Sequence, residues 1–392
     1  MRAPQPVRLC FAIARGMLSA VFAFATSPAG LSADELAMPA RQNSLVIANQ
    51  GWALAPDLGA IEIPFPSDSD DSFVAIPAIA EQSYFRTEFL LLSRTRPRSV
   101  DVTVAQDGAV DTVVLGTNHL SFDAQTGMRF TLGHRFADNN LSFELSYATI
   151  FNEWASSASA TDDNPSGGLN TDLSANFFTD SGPGAAAFDA FFDSGRQVID
   201  YDSQFQNLEL NLFRHFQPWL EHASSILAGF RFIRIAEDFA FTSFDTPTGE
   251  IGEYFISTEN DLLGFQVGGE FDYAIGSHAF VTLRAKGSLF VNFTNQESRL
   301  INSDTGAGAD LAINVGDMGE ANLASAVELA LLGRIPIGRI ELHAGYEVIL
   351  LSGLALAPEQ FDHTIGLTGA RITDRSGQIV IHGMTAGATI AW

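Results

Sequence analysis

The chain ends in Ile381-His-Gly-Met-Thr-Ala-Gly-Ala-Thr-Ile-Ala-Trp392, a stretch in which apolar residues alternate with small or polar ones. The apolar set is Met384, Ala386, Ala388, Ile390 and Trp392, and the set between them is Gly383, Thr385, Gly387 and Thr389. Such alternation predicts a β-strand with one apolar and one wetted face. An aromatic residue at the end of the strand is typical of the interfacial girdle of an outer-membrane barrel.

The same alternation recurs along the chain and predicts about ten strands. They cover residues 83–93, 125–136, 141–151, 205–216, 224–236, 257–273, 279–293, 322–334, 338–351 and 381–392. We therefore predict an all-β fold, a transmembrane antiparallel barrel of about ten strands with ten to twelve as the range.

The predicted connections alternate in length, as short periplasmic turns and long outer loops do in such barrels. The long ones are 94–124, 152–203, 237–256, 294–320 and 352–376, and the short ones are 137–140, 217–223, 274–279 and 335–338. An even number of strands places both ends of the barrel domain on the periplasmic side. Residues 100–104 and 111–115 are candidates for an extra hairpin in the first long loop.

Composition leaves two classes of protein open, a large soluble β-core and a lipid-facing barrel. The 392 residues are 46% hydrophobic despite a net charge of −25. No apolar run after the N-terminal region reaches the roughly 18 residues that a membrane helix needs. Charged residues on the wetted strand faces favour the barrel, because a dry soluble core would bury them at high cost. The acidity argues against nucleic acid as a partner.

The chain divides into three predicted regions. Residues 1–33 resemble a secretory signal, with Arg2 and Arg8 before an apolar stretch that contains Arg15 and Cys10, the single cysteine. Residues 34–82 are rich in proline and acidic residues, which predicts a loosely ordered periplasmic arm; an ordered plug is the alternative. Residues 83–392 form the predicted barrel. Without its signal the protein has no thiol, which excludes disulfides.

Charged side chains on the wetted faces are the candidate functional residues, because they would line the barrel lumen. They are Arg86, Glu88, Arg129, Arg135, Glu144, Glu209, Arg231, Glu270, Asp272, Arg284, Lys286, Glu328, Glu341 and Glu347. One hypothesis makes them a selectivity lining of a pore. The other makes them a mutually neutralising network that closes a narrow barrel.

The sequence contains no recognisable catalytic or cofactor-binding motif. Asp362-His363 is the one adjacent acid–histidine pair in a predicted long loop, and without a supporting motif we interpret it as solvated. Scattered acidic residues of the loops, such as Asp162 and Asp163, fit no calcium-loop spacing. We therefore predict no enzyme activity, no cofactor and no metal site.

Four segments resemble strands of the putative beta-barrel porin-7 family. They are Tyr84-Phe-Arg-Thr-Glu-Phe-Leu-Leu-Leu92, Gly127-Met-Arg-Phe-Thr-Leu-Gly133, Ala228-Gly-Phe-Arg-Phe232 and Glu259-Asn-Asp-Leu-Leu-Gly-Phe-Gln266. The chain departs from the family pattern at Leu91-Leu92, where the family has two tryptophans. The resemblance implies an outer-membrane barrel and brings no substrate with it.

Three functions follow as hypotheses. The preferred one is a porin that passes small solutes or ions across the bacterial outer membrane. The alternative is a non-conducting structural or surface-display barrel with a charge-plugged lumen, and a membrane hydrolase is third. The expected partners are outer-membrane lipid and the barrel-assembly machinery.

Overall fold

A computed structural model describes most of the chain from residue 82 onward, within the compact unit Val46–Trp392. The described residues are 82–107, 110–136, 140–162, 168–171, 190–191, 194–216, 222–245, 249–276, 279–303, 311–361 and 373–392. The predicted signal, almost all of the predicted arm, the Asp362-His363 pair and Asp163 lie outside this set. No helix in it is long and apolar enough to span a membrane.

The described residues form fourteen strands. They are β1 Gln82–Arg94, β2 Asp101–Asp107, β3 Val110–Gly116, β4 Gln125–Phe136, β5 Leu141–Ile150, β6 Trp154–Thr161, β7 Leu169–Thr171, β8 Arg196–His215, β9 His222–Phe244, β10 Ile251–Ile275, β11 Ala279–Ser303, β12 Leu311–Ile337, β13 Ile340–Leu354 and β14 Gly377–Ala391.

Ten of these strands close into an antiparallel barrel. Its order is β5-β4-β1-β14-β13-β12-β11-β10-β9-β8, and β8 pairs with β5 to close the ring. The closing register runs from Leu141 opposite Arg214 to Thr149 opposite Gln206. The predicted fold class and strand number are confirmed.

The outward side chains of the barrel form an apolar belt. Leu289, Phe265, Val267 and Met384 are each more than 60% exposed, whereas their strand neighbours on the inward face are mostly buried. Trp392 is 63% exposed at one border of the belt. Since a protein in water does not expose so large a contiguous apolar surface, the belt is the face that contacts lipid.

The two ends of the barrel differ. At one, the short-turn end, four connections of a few residues join β4 to β5, β8 to β9, β10 to β11 and β12 to β13. Gly276 and Gly338 adopt φ of 64° and 62° in two of these turns, a conformation that favours glycine. Trp392 and Ser83 exchange backbone hydrogen bonds of 2.9 and 3.0 Å there. The opposite end is the long-loop end.

Three of the predicted long loops, 152–203, 237–256 and 294–320, are wrong in extent, the first because β8 already begins at Arg196. β9 and β10 continue to Phe244 and from Ile251, and β11 and β12 continue to Ser303 and from Leu311. Past the belt the alternation inverts: Phe239 and Phe241 are buried inside while Asp238 and Thr242 point outward. In the extensions of β9 and β10 the apolar side chains therefore face inward, which is why a search for apolar outward faces misses them.

Four further strands lie at the long-loop end, in addition to the ten strands of the barrel. β6 pairs with the part of β8 that extends beyond β5, and β3, β2 and β7 form a small separate sheet. β2 and β3 pair antiparallel between Asp101 and Gly116. The predicted extra hairpin in the first long loop is therefore confirmed.

Candidate functional site

The barrel interior is the candidate site, and its polar layer lies next to the short-turn end. All fourteen charged side chains singled out from the sequence are buried on inward strand faces, each less than 9% exposed. The structure adds Arg334 and His343 to them, both also buried. Their role as a selectivity lining stays a prediction.

A four-residue ionic cluster crosses the lumen. Nη2 of Arg231, on β9, lies 2.9 Å from Oε2 of Glu328, on β12, although two strands separate β9 from β12 in the wall. Nζ of Lys286 lies 2.8 Å from Oε2 of Glu209 and 3.0 Å from Oε1 of Glu328. Gln266 donates a further hydrogen bond of 2.9 Å to Glu209. Each carboxylate is therefore compensated inside the barrel.

A second cluster spans the other side of the interior. Nη2 of Arg129, on β4, donates to both carboxylate oxygens of Glu347, on β13, at 2.8 Å. Nη1 of Arg129 also lies 3.5 Å from Oε2 of Glu88. His343 Nε2 is 3.3 Å from Oε1 of the same carboxylate. The contact between Arg129 and Glu347 also runs across the lumen, because β1 and β14 separate β4 from β13.

Further pairs complete the polar layer. They are Arg86–Glu144 at 3.0 Å, Arg284–Glu270 at 2.5 Å and Arg334–Asp272 at 2.7 Å. Within the described part of the chain the layer holds seven cationic and eight carboxylate side chains. A cavity among Arg86, Glu144 and Lys286 measures only about 10 Å³, room for about one water molecule.

An apolar layer fills the lumen above the polar one, toward the long-loop end. Most barrel strands contribute to it, and the side chains are almost fully buried. Its larger members are Leu90, Leu92, Ile150, Trp154, Phe205, Ile233, Ile235, Leu262, Phe290, Ile349, Leu351, Ile379 and Ile381. Trp154 Nε1 donates to the carbonyl of Leu92 at 3.0 Å, which fixes the indole in place.

Sequence reasoning missed this layer, although a signal for it exists. Strict alternation breaks at one height of the barrel into runs that are apolar on both faces, such as 89–92, 349–351 and 379–381. A strand that faces lipid on one side and a water-filled lumen on the other would carry polar residues on its lumen face, so such runs would not occur in it. They mark the level at which both faces are dry.

The segment from Gly353 to Phe361 folds into the barrel mouth as a strap. Asn260 Nδ2 donates to the Ala355 carbonyl at 2.8 Å, and the Ala355 N–H donates to Asn260 Oδ1 at 2.9 Å. Asn292 and Asn322 both donate to the Gly353 carbonyl, at 3.1 and 2.9 Å. Its backbone groups are therefore satisfied by strand side chains, as buried peptide groups require.

A buried ion pair lies beside the strap. Arg94 Nη1, on β1, is 2.8 Å from Oε1 of Glu237, on β9, and both side chains are fully shielded from solvent. Arg94 Nη1 also donates to Ser203. The other oxygen of Glu237 accepts from the Ala357 N–H at 2.9 Å, so that the pair anchors the strap as well.

An aromatic cluster covers the strap at the long-loop end. Phe361 packs against Phe239, Phe241 and Tyr254, with ring centroids 5.2 to 6.2 Å apart. Leu115 and Leu120, from the hairpin and the segment after it, belong to the same buried cluster. The loops thus contribute to a packed core inside the extended part of the barrel.

One acidic side chain of the strap is electrostatically perturbed. Burial raises the pKa of Glu359, and the hydrogen bond that the Arg98 N–H donates to its carboxylate, 3.1 Å long, opposes the rise. Groups of three or more histidine, cysteine or acidic residues able to hold a metal do not occur among the described residues.

This architecture defines a transmembrane β-barrel of the outer-membrane type. The family model described as putative beta barrel porin-7 matches residues 94–392, most of the chain. The chain belongs to this family. The match begins at Arg94, so the resemblance of Tyr84–Leu92 to the family's opening strand lies ahead of the matched range. Curated proteins gave no match.

Solved structures of other barrels resemble the chain only distantly. The outer membrane protease OmpT of Escherichia coli is 10% identical, with a TM-score of 0.45, and the match covers 80% of this chain and 99% of that one. The Pseudomonas putida toluene transporter TodX is 8% identical, with a TM-score of 0.29 and coverages of 80% and 90%. A major outer membrane protein of Thermus thermophilus is also 8% identical, with a TM-score of 0.28 and coverages of 79% and 99%. At such scores the likeness carries no inference about activity.

Proposed function

We propose that this protein is a structural or surface-display barrel of the outer membrane whose lumen is closed to solutes. The observation that carries the proposal is the filled interior: a compensated ionic layer, an apolar layer and the strap follow one another along the lumen. A solute would have to displace all three.

The pairing of the buried charges favours a closed lumen over a pore that selects ions. A selectivity lining presents uncompensated charge of one sign to passing ions. Here Arg231, Lys286, Glu209 and Glu328 pair with one another at 2.8 to 3.6 Å across the lumen. Burying a charge is costly unless an opposite charge lies beside it, and each of these four residues has such a partner, so the charges hold one another in place across the space that a solute would need.

Passive passage of small solutes or ions is the second candidate, and the family's description as a porin favours it. Passage would require the strap to withdraw from Asn260 and the apolar layer to part. Polar contacts hold the strap, and such contacts exchange with water at modest net cost. We place this function behind the first because it needs a conformation other than the described one.

Planar lipid bilayers test the two candidates. The full mature protein, refolded and checked by its heat-modifiable gel mobility, is added to one side under an applied potential. A silent bilayer is the expected result. Regular discrete conductance steps from the unmodified protein would contradict the closed lumen and establish the porin. We propose no enzyme activity, and hydrolysis of lipid or peptide lost in a His363→Ala variant would contradict that part.

The route to the membrane forms part of the proposal. We propose that residues 1–33 are a cleaved signal, that 34–82 form a periplasmic arm and that assembly uses the barrel-assembly machinery. N-terminal sequencing of protein isolated from outer-membrane fractions tests the first point. A mature chain that begins at Asp34 is the expected result, and an uncleaved N-terminus would contradict it.

A further inference from the structure

The barrel wall has a gap where β5 gives way to β6 along β8. β5 follows β8 as far as Thr149 opposite Gln206, and β6 rejoins it at Trp154 opposite Ser203. Four residues on one side, 150–153, therefore face only two on the other, 204 and 205. The Phe151 N–H donates to the Thr126 carbonyl on β4, at 2.8 Å, so residue 151 stays beside β4 after the pairing with β8 has ended.

A cavity of about 450 Å³ occupies the gap. This volume lies within the range of about 300 to 1,000 Å³ that is typical of small-molecule sites. Its rim consists of the outward residues Thr149, Phe151, Asn152, Glu153, Gln204 and Gln206. Ile150 and Phe205, both members of the apolar layer, form its floor. The cavity is therefore a pocket in the wall, closed toward the lumen.

The position of the cavity relative to the lipid follows from the register. Tyr147 opposite Leu208 is the last outward apolar pair, and the next outward pair is Thr149 opposite Gln206. The rim thus begins one residue pair beyond the apolar belt. That level corresponds to the headgroups of the lipid leaflet at the long-loop end.

The lining selects among polar ligands. Gln204 Nε2 donates to Glu153 Oε1, which places an amide and a carboxylate side by side at the rim. Asn152, Gln206 and Thr149 add further donors and acceptors. The lining residues include no lysine, arginine or histidine. Phosphate is therefore a poor ligand, because its recognition relies on cationic groups or clustered donors.

Vicinal hydroxyl groups match this lining better than other headgroup chemistry. Each hydroxyl both donates and accepts, and so pairs with an amide–carboxylate edge. Phe151 is 57% exposed beside that edge, and its ring offers a surface for the C–H face of a sugar ring. We propose that this wall cavity binds a saccharide unit, either free or as the headgroup of a glycolipid in the adjoining leaflet.

The test uses the full mature protein in nanodiscs of phosphatidylcholine. Free glucose, galactose, mannose and N-acetylglucosamine are titrated and followed by saturation-transfer NMR. A parallel set of nanodiscs contains lipopolysaccharide or digalactosyl diacylglycerol, and bound glycolipid is counted by native mass spectrometry. Binding of a free sugar supports a soluble saccharide as the source. Binding of glycolipid alone supports the headgroup.

Matched variants place the ligand in the cavity. Gln204→Ala, Glu153→Ala and Phe151→Ala should each weaken binding at least tenfold, because each removes a group from the rim. The controls Gln378→Ala, Glu253→Ala and Phe136→Ala change the same residue types on outward faces elsewhere and should leave binding unchanged. Heat-modifiable mobility confirms that every variant folds, and Gln206→Ala replaces any that does not.

Two results would overturn the saccharide site. The first is that no free sugar and no glycolipid binds to the unmodified protein. The second is that the rim variants bind a saccharide as well as the controls do. Neither result depends on whether the lumen conducts, so the saccharide site and the closed lumen are tested independently of each other.

Discussion

Asn260 and Ala355 are 95 residues apart in the chain, yet the side-chain amide of one pairs with both peptide groups of the other. The two hydrogen bonds measure 2.8 and 2.9 Å. Asn292 donates to Asn260 Oδ1 at 2.9 Å and so orients the amide. The pairing resembles a short stretch of β-sheet in which one partner is a side chain. It places the strap across the lumen.

Asn260→Asp should loosen the strap. The substitution removes the amide donor and sets a carboxylate against the Ala355 carbonyl, so that one hydrogen bond becomes a repulsion. An unsatisfied buried group costs about 1–3 kcal/mol, which corresponds to a shift of about 5- to 150-fold toward an open strap. Faster hydrogen–deuterium exchange of the strap amides than in the parent is the expected readout, whereas the bilayer stays silent because the ionic and apolar layers still fill the lumen.

Asn295→Asp serves as the matched control, because Asn295 points outward from β11 and touches neither strap nor lumen. Its strap amides should exchange at the parent's rate. Equal exchange in the parent and in both variants would mean that Asn260 does not hold the strap.

Removing one member of the Arg94–Glu237 pair should destabilise the barrel. Arg94→Leu leaves the Glu237 carboxylate buried without its cation, a change that costs about 3–5 kcal/mol. Urea unfolding in lipid vesicles measures the loss as a lower midpoint. The double variant Arg94→Leu with Glu237→Leu should lose less than the sum of the single changes, because no charge is left unpaired.

Arg98→Leu is the control for that experiment, since the Arg98 side chain is 60% exposed and its ion pairs are 3.8 and 3.9 Å long. Exposed pairs contribute about 0–1 kcal/mol. An Arg94→Leu midpoint as close to the parent as that of Arg98→Leu would contradict the importance of the buried pair.

Gly133→Ala should disturb the short-turn end of the lumen. Tyr84, Gly133 and Glu144 stand in one row on β1, β4 and β5, and Tyr84 donates to Glu144 across the glycine at 2.5 Å. A Cβ at position 133 would overlap the Tyr84 ring. Overpacking of this kind costs about 1–3 kcal/mol, which urea unfolding measures.

The control is Gly333→Ala on β12, where the nearest atom to an added Cβ is the Ala344 carbonyl oxygen at 3.7 Å. That variant should unfold at the parent's midpoint. If Gly133→Ala did the same, the tyrosine ring would have to be free to move aside.

Glu359→Gln should change how stability depends on pH. Burial raises the pKa of Glu359 above its usual 4.5, so the folded protein holds this proton more tightly than the unfolded chain. Stability of the parent therefore falls as the pH rises from 4.5 through the raised pKa. The amide does not titrate, so the variant should be more stable than the parent at neutral pH.

Thermal unfolding followed by gel mobility across this pH range provides the measurement. The difference between variant and parent should disappear below pH 4.5, where the parent carboxyl is protonated in both states. A variant that is less stable than the parent at neutral pH would instead show that the ion pair with Arg98 outweighs the cost of burial.

From the sequence, more could be predicted about the strands of the fold than about the contacts between side chains inside the lumen. The alternation of apolar and polar residues was enough to predict the strands of the belt. Contact with lipid requires an apolar residue at every second position of a strand, and this requirement does not depend on residues far away in the sequence. Alternation failed for the outer parts of β9 and β10, because there the apolar side chains face inward, as they do in the sheets of proteins that never meet lipid. The inward charges were predicted by residue, whereas their pairing was left open.

What the sequence by itself determined is which side chains face lipid and which face inward, because that choice depends on one chain segment and its solvent. Only the tertiary structure decided which side chains meet inside the barrel and that the strap lies across its mouth. Arg231 reaches Glu328, and Asn260 reaches Ala355, only after the ring has closed and brought strands far apart in sequence within a few ångströms. Ion pairing and strap docking depend on those distances, which no local pattern of residues encodes.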